Sequence, residues 1–298
     1  MKHIFIINPY SGRKKMKNIE SRIVDLCKKK SMDYSIYFTK GPGDGERYAR
    51  SLENEDPAIV YAVGGDGILN EVLNGIAGSC HILSVIPLGS GNDFCRTLEE
   101  YDKEYIVADV GRINGRYFIN IACIGIDAEI AYNVSKIRKI LFVPASQRYK
   151  LSILVTLFIY KYKNLIVKLG GHSVKSMYTL VAICNGRYYG GGFKIATKAQ
   201  IDNGEFDIYL VEKVAKSKMP SFLLKVVKGQ HESDPRMVKY NDSIVEITSD
   251  EPVVCNVDGE NLYDCHYKLE LVRSAITVHY NKEFIEELCG SKKRKKLH

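Results

Sequence analysis

Several common sequence features are absent from this chain of 298 residues. It has no G-x-x-x-x-G-K-[ST] segment and no complete G-x-G-x-x-G fingerprint, which excludes an ordinary P-loop and an ordinary dinucleotide site. The longest apolar run, residues 151–160, is about half as long as a membrane-spanning helix. No export signal precedes the first apolar segment, and the eight cysteines include no C-x-x-C pair. We therefore expect a cytoplasmic protein with reduced thiols.

The composition is that of a globular protein with a basic surface. Hydrophobic residues make up 45% of the chain and charged residues 26%, which is ordinary for folded domains. The length suits one large or two medium domains. The net charge of +8 suits an anionic partner such as a nucleotide or the cytoplasmic face of a membrane. We expect no nucleic-acid partner, because no basic stretch is interleaved with aromatic residues.

Two glycine-rich turns, residues 64–67 (GGDG) and 89–93 (GSGND), are the most informative segments, and each follows an apolar run. Glycine lets the backbone approach a ligand closely. N–H groups at such a turn, with a helix starting behind it, form an anion site suited to phosphates. A carboxylate in that site would repel phosphate unless a divalent cation lay between them. The pair favours a nucleotide–magnesium site, whereas either turn alone is equally consistent with a plain hairpin or helix cap.

The first hundred residues alternate between strand-like and helical segments. The predicted strands are 3–7, 34–38, 58–63 and 82–86, and the predicted helices lie near 16–30, 44–53 and 69–76. This alternation predicts a parallel sheet with helices on both faces. Ligands bind such sheets at the carboxyl ends of the strands, where both glycine turns fall.

From about residue 109 the pattern changes to short strands broken by Gly, Asn and Asp. The predicted strands are 117–126, 165–169, 176–184, 206–211, 243–248, 253–257, 266–272 and 275–280. Helical segments near 128–162 and 220–228 interrupt them. The pattern predicts an antiparallel β-sandwich.

Four segments resemble, in the same order, the catalytic domain of the diacylglycerol kinases and their relatives, the sphingosine, ceramide and bacterial lipid kinases. They are residues 8–12 (NPYSG), 64–67 (GGDG), 87–94 (PLGSGNDF) and 256–260 (NVDGE). The GGDG segment alone is also found in NAD kinases and phosphofructokinases, so the third and fourth segments give the resemblance its specificity. One departure is Ile68, which stands where a threonine is usual and removes a hydroxyl group.

The resemblance extends over nearly the whole chain and implies an α/β plus β architecture. The N-terminal domain would be a parallel-sheet α/β nucleotide-binding domain, similar to NAD kinases and phosphofructokinases, over residues 1–112, with 281–291 returning to it. Residues 113–280 would form an antiparallel β-sandwich domain for the lipid substrate. Residues 292–298 would be a basic tail.

The resemblance also implies a site for ATP. Backbone N–H groups of the two glycine turns would hold the phosphates, and Arg13 would contact phosphate oxygens as a fork donor. The candidate ATP-binding residues are Asn8, Pro9, Tyr10, Ser11, Gly12, Arg13, Thr39, Gly64, Gly65, Asp66, Gly67, Asn70, Glu71, Gly89, Ser90, Gly91 and Asn92.

Phosphoryl transfer to an alcohol requires charge neutralisation and a base for the hydroxyl proton. Asp66, Asp93 and Asp109 are the candidates for holding Mg²⁺, partly through water; Asp93 could equally cap a helix, and Asp109 a turn. Asp258 is the candidate general base, and Glu260 would orient it or share its proton. The alternative for the segment around Asp258 is a solvated hairpin, for which D-G is a common sequence.

Residues 200–205 match a loop in which similar bacterial lipid kinases carry a second, structural metal. The matching positions here are Gln200, Asn203 and Glu205. Asn203 replaces an aspartate, so a hard cation would lose one charged ligand.

The resemblance therefore predicts an ATP- and Mg²⁺-dependent kinase that phosphorylates the free hydroxyl of diacylglycerol to give phosphatidic acid. The alternatives are a kinase for another lipid alcohol (phosphatidylglycerol or a sphingoid base), an NAD kinase, and a non-catalytic nucleotide or lipid sensor. We expect a cytoplasmic protein that associates peripherally with the inner membrane face, because basic residues flank the run 151–160 and fill 292–296. A buried helix and a solvated tail are the alternatives for these two segments. A homodimer is compatible with the resemblance.

Overall fold

The chain is divided into two compact units in the structure, a computed structural model that describes residues 1–12, 16–137, 156, 160–227 and 229–289. The first unit comprises Met1–Ala108 together with residues from Ser274 onwards, and the second comprises Asp109–Arg273. The predicted two-domain architecture with mixed α and β structure is confirmed. The divisions between the units fall before 109 and after 273, whereas the sequence placed them after 112 and after 280.

The secondary-structure elements are numbered here along the described chain. The strands are β1 Lys2–Ile7, β2 Tyr34–Phe38, β3 Ala58–Gly64, β4 Ile82–Pro87, β5 Tyr105–Ile113, β6 Arg116–Phe118, β7 Ile121–Gly125, β8 Asn164–Leu169, β9 His172–Cys184, β10 Tyr188–Tyr189, β11 Phe193–Lys194, β12 Phe206–Glu212, β13 Met237–Asp242, β14 Ile244–Val257 and β15 Glu260–His279. The helices are α1 Ile19–Lys29, α2 Asp44–Arg50, α3 Asp66–Ile76, α4 Asp93–Leu98, α5 Ile126–Ile137, α6 Met219–Val227 and α7 Lys282–Cys289.

In the first unit the strands pair in parallel. β1 pairs with β2 and β3, β3 pairs with β4, and residues 277–279 add in parallel beside β4. Every residue of β3 is buried, as expected for a central strand covered on both faces. The apolar positions of α1 recur at helical spacing and pack with β1, β3 and α7 in one core. That core fixes the strand ends from which the glycine turns emerge.

The second unit is built mainly from antiparallel strands. Two long strands, β9 and β14, each pair with β8 through their first halves and with β7 through their second halves. A core including Val167, Ile183 and Ile247 is buried by these strands. A further cluster is formed where β7, β9 and β12 pack with residues of α5 and α6. Alternating apolar residues along each strand supply both clusters.

Several elements differ from their predicted bounds. The predicted strand 117–126 is two strands, β6 and β7, separated at residues 119–120, and the predicted pairs 243–248/253–257 and 266–272/275–280 are the continuous strands β14 and β15. β5, the β10–β11 hairpin, β13 and residues 260–265 of β15 were not predicted. Most of the segment 138–159, which includes nearly all of the apolar run, lies outside the described residues. Within the described ranges, no helix is long and apolar enough to cross a membrane.

Candidate functional site

Three loops of the first unit converge at the carboxyl ends of parallel strands. β1, β3 and β4 are followed by residues 8–12, 65–67 and 88–92. The N–H of Asn8 donates to the carbonyl of Val63 at 3.1 Å. The N–H groups of Leu88 and Gly89 both donate to the carbonyl of Gly64 at 2.8 Å. Register within the parallel sheet therefore holds the three segments side by side, at the edge of the sheet where ligands bind in open α/β folds.

The two glycine turns touch through their backbones. A Cβ placed on Gly89 would lie 2.4 Å from the Cα of Gly65, and a Cβ on Gly12 would lie 1.8 Å from the carbonyl oxygen of Leu88. Gly12 also has φ near +52°, a conformation that glycine adopts at little cost. Side chains at these positions would push the loops apart, so glycine is required here by contact distance.

Asp66 is the first residue of α3, and its carboxylate binds the start of α4. Oδ2 accepts the N–H of Asn92 at 2.8 Å, and Oδ1 accepts the N–H of Asp93 at 2.9 Å. Asn92 occupies the cap position of α4 in a left-handed conformation, and its side chain makes no capping bond. The aspartate of one glycine turn therefore caps the helix that follows the other, and Asp93 is the first helical residue rather than the cap.

Two carboxylates face the same position above the second glycine turn. A Cβ on Gly91 would lie 2.5 Å from Oδ2 of Asp66 and 3.9 Å from Oδ2 of Asp93. Asp93 is buried, and its Oδ1 lies 3.9 Å from the guanidinium of Arg96. Two carboxylates from adjacent loops beside helix N-termini are a donor set that fits Mg²⁺. A cluster of three or more acidic, His or Cys ligands does not occur among the described residues, so water would complete the coordination.

Glu71 and Thr39, two of the candidate nucleotide-binding residues, lie in the first unit. The carboxylate of Glu71 accepts the N–H groups of Gly43 and Gly45 at 3.0 and 2.9 Å, which holds the start of α2. Thr39 is buried directly after β2, and its N–H donates to the carbonyl of Ile7 at 2.9 Å. Asn70 is buried and accepts a hydrogen bond from Asn74. Glu71 therefore holds the neighbouring loop through its side chain, whereas Thr39 is bound through its backbone and Asn70 within α3.

Ile68, the position that departs from the family pattern, fills apolar space. Its side chain is buried, and a Cβ on Gly45 or Gly64 would lie within 2.5 and 2.8 Å of it. Isoleucine at this position therefore packs against the start of α2 at Gly45 and the end of β3 at Gly64.

In the second unit, the carboxylate of Asp258 accepts hydrogen bonds from three backbone N–H groups. Its Oδ2 accepts the N–H of Ile119 at 2.8 Å, and Oδ1 accepts those of Asn120 and Ile121, both at 3.0 Å. Asp258 itself has φ near +47° in the tight turn between β14 and β15. Three backbone donors stabilise the charged carboxylate. These hydrogen bonds to Asp258 explain why the predicted strand 117–126 is interrupted at 119–120.

Asn185 connects Asp109 to the same backbone segment. Its Nδ2 donates to the carbonyls of Asp109 and Ile119 at 3.0 and 2.8 Å, and its N–H donates to the carbonyl of Asn120 at 2.9 Å. Sequence reasoning missed Asn185, because Asn-Gly after a strand is an ordinary turn signal. What identifies this residue is its burial, which the sequence does not show. Asn185 is 1% exposed, and a buried amide needs hydrogen-bond partners.

Asp109 binds the loop that was predicted to carry a second metal. Its Oδ2 accepts the N–H of Gly204 at 2.8 Å, and its N–H donates to the carbonyl of Ile201 at 2.6 Å. The side chains of Gln200, Asn203 and Glu205 are all exposed, and Oδ1 of Asn203 accepts the N–H of Glu205 at 3.3 Å. With a single carboxylate among them, these three residues are a poor ligand set for a structural hard cation.

The candidate residues therefore form two groups, one within each unit. The first unit brings together the segments around Asn8, Asp66 and Asp93. The second unit joins Asp109 and Asp258 through Asn185, and it places Glu260 two residues beyond Asp258. The Glu260 side chain is 53% exposed, with an oxygen 3.9 Å from Arg116. Arg13 lies outside the described residues.

These features define a class of protein in which an α/β unit with touching glycine turns is combined with an antiparallel β unit. Residues 2–115 match the family described as the diacylglycerol kinase catalytic domain, and residues 120–280 match the YegS C-terminal NAD kinase beta sandwich-like domain. The chain belongs to this family of lipid kinases.

The chain is similar over most of its length to named relatives. It is 28% identical to a diacylglycerol kinase of Staphylococcus carnosus, covering 86% of this chain and 87% of that protein. It is 27% identical to a diacylglycerol kinase of Bacillus subtilis, covering 86% and 88%. A crystal structure from Bacillus anthracis, provisionally named a diacylglycerol kinase, matches with a TM-score of 0.76 and 25% identity over 95% of this chain and 96% of that one.

Proposed function

We propose that this protein is an ATP- and Mg²⁺-dependent kinase that phosphorylates the free hydroxyl of diacylglycerol to give phosphatidic acid at the cytoplasmic face of a membrane. The observation that carries the proposal is the contact between two glycine turns, with Asp66 and Asp93 facing one position beside two helix N-termini. Backbone N–H groups and a carboxylate pair suit a polyphosphate and its cation. The names of the similar proteins support the choice of lipid.

The first unit would bind the nucleotide. Backbone N–H groups at Gly65–Gly67, Ser90 and Gly91 would contact the phosphates, with Ser11 beside them: a Cβ on Gly65 would lie 3.5 Å from its Oγ. The N–H of Gly89 instead donates to the carbonyl of Gly64 and holds the two turns together. Asp66 and Asp93 would hold Mg²⁺, which would neutralise charge on the phosphates when bound. Arg13 would add a fork donor to phosphate oxygens. Glu71 would act indirectly, because its carboxylate holds the loop at Gly43 and Gly45.

The second unit would supply the groups that act on the acceptor hydroxyl, and its geometry favours an exchange of the two roles assigned from sequence. The N–H groups of residues 119–121 donate to the carboxylate oxygens of Asp258, which commits that side chain to holding this backbone segment. Glu260 is exposed, and among the described residues its carboxylate is not bound by a comparable set of backbone N–H groups. We therefore assign proton acceptance to Glu260 and positioning of the 119–121 backbone to Asp258.

A pair of amide variants tests this assignment. Glu260→Gln removes the base, so kcat should fall about 10²- to 10⁴-fold while the denaturation midpoint stays close to that of the parent. Asp258→Asn replaces one acceptor oxygen by a donor facing an N–H, so it should cost about 1–3 kcal/mol of stability. A rate loss confined to Asp258→Asn, with Glu260→Gln fully active, would return the base to Asp258.

The substrate is tested with the purified protein, labelled ATP and Mg²⁺. Mixed micelles containing diacylglycerol, phosphatidylglycerol or a sphingoid base are assayed separately, with NAD in a parallel reaction. Label in phosphatidic acid supports the proposal. Label in another lipid would keep the mechanism and change the substrate, and label in NADP would overturn the lipid assignment. ATP binding with no transfer to any acceptor would favour a nucleotide sensor.

A further inference from the structure

The outer surface of α6 in the second unit combines lysines with an exposed leucine. We define the α6 surface as Lys161, Lys213, Lys216, Lys218 and Leu224. All five are exposed, and Leu224 is 59% exposed. Single exposed apolar side chains of this size are common on protein surfaces. The leucine therefore indicates a binding surface only in combination with the cationic groups around it.

Burial of one helix face fixes the outward direction of the other. Met219, Phe222 and Val226 are 1%, 1% and 9% exposed and pack into the core beneath α6. Their spacing of three and four residues defines the inward stripe. Pro220, Ser221 and Leu224 consequently lie on the exposed side. The side of the helix that faces solvent therefore carries these three uncharged side chains.

Tyr162 joins the lysine before β8 to those before α6. Its hydroxyl donates to the carbonyl of Val214, and the ammonium of Lys213 lies 5.2 Å from the centre of its ring. Lys161 is its exposed neighbour in sequence. The short helical turn Lys216–Lys218 then leads directly into α6. Lys161 and Lys213 therefore both adjoin Tyr162, and Lys216 and Lys218 follow in the turn that leads into α6.

Few acidic groups lie near this surface. Residues 213–230 contain no Asp or Glu. Asp234, packed behind α6, is held by Lys225 at 2.9 Å and Arg236 at 2.7 Å, and Glu232 accepts from Thr197 at 2.6 Å and from Tyr209 at 3.1 Å. Two exposed carboxylates lie beside the lysines: Glu212 directly precedes Lys213, and Glu251 pairs with Lys163, with a weaker attraction to Lys161. Lysines therefore outnumber carboxylates at this surface.

We propose that the α6 surface docks this protein on an anionic phospholipid bilayer. Lysine side chains near an anionic leaflet attract its phosphates, and a leucine on a helix lying along the interface enters the boundary between headgroups and acyl chains. The proposal rests on the proposed function in that a kinase of a membrane lipid must reach the bilayer. A nucleic acid is the less favoured partner, because the cationic groups are lysines around an aliphatic side chain, with no exposed aromatic for base stacking.

The test uses the full chain and vesicles of defined composition. The variant Lys213→Gln/Lys216→Gln/Lys218→Gln is compared with Lys2→Gln/Lys28→Gln/Lys30→Gln, which removes three exposed lysines from the first unit. Both lower the net charge from +8 by three. Co-sedimentation with phosphatidylcholine vesicles, with and without phosphatidylglycerol, is measured for each. We expect roughly 10- to 100-fold weaker binding to the anionic vesicles for the α6 variant, and a much smaller change for the control.

Insertion is tested independently by Leu224→Trp, because the parent chain contains no tryptophan. Anionic vesicles should shift the emission of this single tryptophan to shorter wavelength, and neutral vesicles should not. Binding of the α6 variant at parental strength, an equal loss in the control variant, or an unshifted emission on bound vesicles would each overturn the proposal.

Activity separates this proposal from the proposed function. In mixed micelles with a short-chain diacylglycerol, the α6 variant should transfer phosphate like the parent, whereas on anionic vesicles its rate should fall with its binding. If neither protein transfers phosphate in micelles, the proposed function fails. Vesicle binding by the two variants then still decides the docking surface.

Discussion

At the scale of single residues, Asp66 links the two glycine turns through hydrogen bonds and electrostatics. Its carboxylate accepts two N–H groups at the start of α4, where the helix dipole favours negative charge. Its Oδ2 also faces the position above Gly91 where a cation is proposed to bind. A residue read from sequence as a metal ligand therefore also stabilises the free protein, and the two roles can be separated by experiment.

Asp66→Asn should lose both roles. The amide nitrogen would face a backbone N–H, so we expect a loss of about 1–3 kcal/mol in the free energy of unfolding and loss of phosphoryl transfer. Urea denaturation and the labelled-ATP assay measure the two effects. Asp56→Asn, at an exposed loop position, is the matched control. An Asp66→Asn protein with parental stability and parental transfer would contradict both assignments.

Gly89→Ala tests the contact between the turns. The new methyl group would lie 2.4 Å from the Cα of Gly65, and backbone cannot yield there as a flexible side chain could, so overpacking of about 1–3 kcal/mol is expected. ATP affinity, measured by calorimetry, should fall with it. Gly41→Ala is the control, since nothing lies within 4 Å of its Cβ position. Equal ATP affinity in the two variants would show that the close approach is dispensable.

His3, at the start of β1, makes stability depend on pH. Burial, followed by the charge of His279, lowers the pKa of His3 below its usual 6.5, and its Nδ1 lies 3.0 Å from the hydroxyl of Tyr61. The unfolded chain therefore binds a proton at His3 more readily than the folded chain does. The contribution of His3 to the free energy of unfolding is complete above pH 6.5 and is lost as the pH falls below it. Urea denaturation at pH 7.5 and 5.5 should show this decline, and His3→Gln should reduce it. The exposed His172, changed to Gln, should leave the decline in place.

A residue's role can be predicted from sequence when the pattern that reveals it lies within a few neighbouring residues. Glycine–aspartate turns after apolar runs are local patterns, so Asp66 and Gly89 could be selected from sequence. The three donors on Asp258 come from residues nearly 140 positions away, and no local pattern records them. Asn185 was missed for the same reason. Roles that depend on distant backbone groups require the fold.

At the scale of elements, the parallel strands of the first unit were predicted within one or two residues, because continuous apolar runs and intervening helices leave few alternatives. The long strands β14 and β15 were each predicted as two pieces. In β14 the pairing register shifts between Thr248 and Val253, and residues 249–251 in this irregular stretch are polar. Pairing continues on both sides of it, so one strand looks like two in the sequence. In β15 the predicted break falls at residues 273–274, where Ser274 has φ near +50°.

Asp234 forms ion pairs with Lys225 of α6 and with Arg236, which directly precedes β13. Hydrogen bonding, with Arg236 as the main partner, holds the pKa of this carboxyl far below its usual range, so its contribution is present at neutral pH and persists well into acid. Asp234→Asn would leave Lys225 and Arg236 without their anion and should lower the free energy of unfolding by about 2 kcal/mol. Thermal denaturation measures this. Glu251→Gln, which breaks the exposed pair with Lys163, should change it little, and equal effects would contradict the distinction.

At the scale of the whole molecule, the division into two units was predicted from the change in sequence texture near residue 109. Its edges were harder to place, because β5 and β15 each extend across a division. A strand that begins in one unit and ends in the other shows no turn signal at the boundary. The return of the C-terminal segment to the first unit was available only through the family resemblance.

Cysteine accessibility gives a prediction for the whole chain. Cys80 is exposed, Cys265 and Cys289 are half-buried, and Cys27, Cys95, Cys123, Cys184 and Cys255 are buried. Burial also raises the pKa of Cys27 to about 11 and that of Cys95 well above its usual value, so their thiolates are scarce. A thiol reagent at pH 8 should label Cys80 first and the buried five only after unfolding, as followed by mass spectrometry of peptides. Early labelling of Cys95 would contradict the packing described here.

The backbone contact between Gly65 and Gly89 has a consequence for mutational history. A methyl group on Gly89 would lie 2.4 Å from the Cα of Gly65, whereas one on Gly65 would lie 3.3 Å from the Cα of Gly89. The constraint is therefore unequal. Residue 65 is already the smallest amino acid, so no truncation there can make room for a side chain at position 89. A side chain at position 65 would need its neighbour to move by only a few tenths of an ångström, so position 65 should accept alanine more readily than position 89.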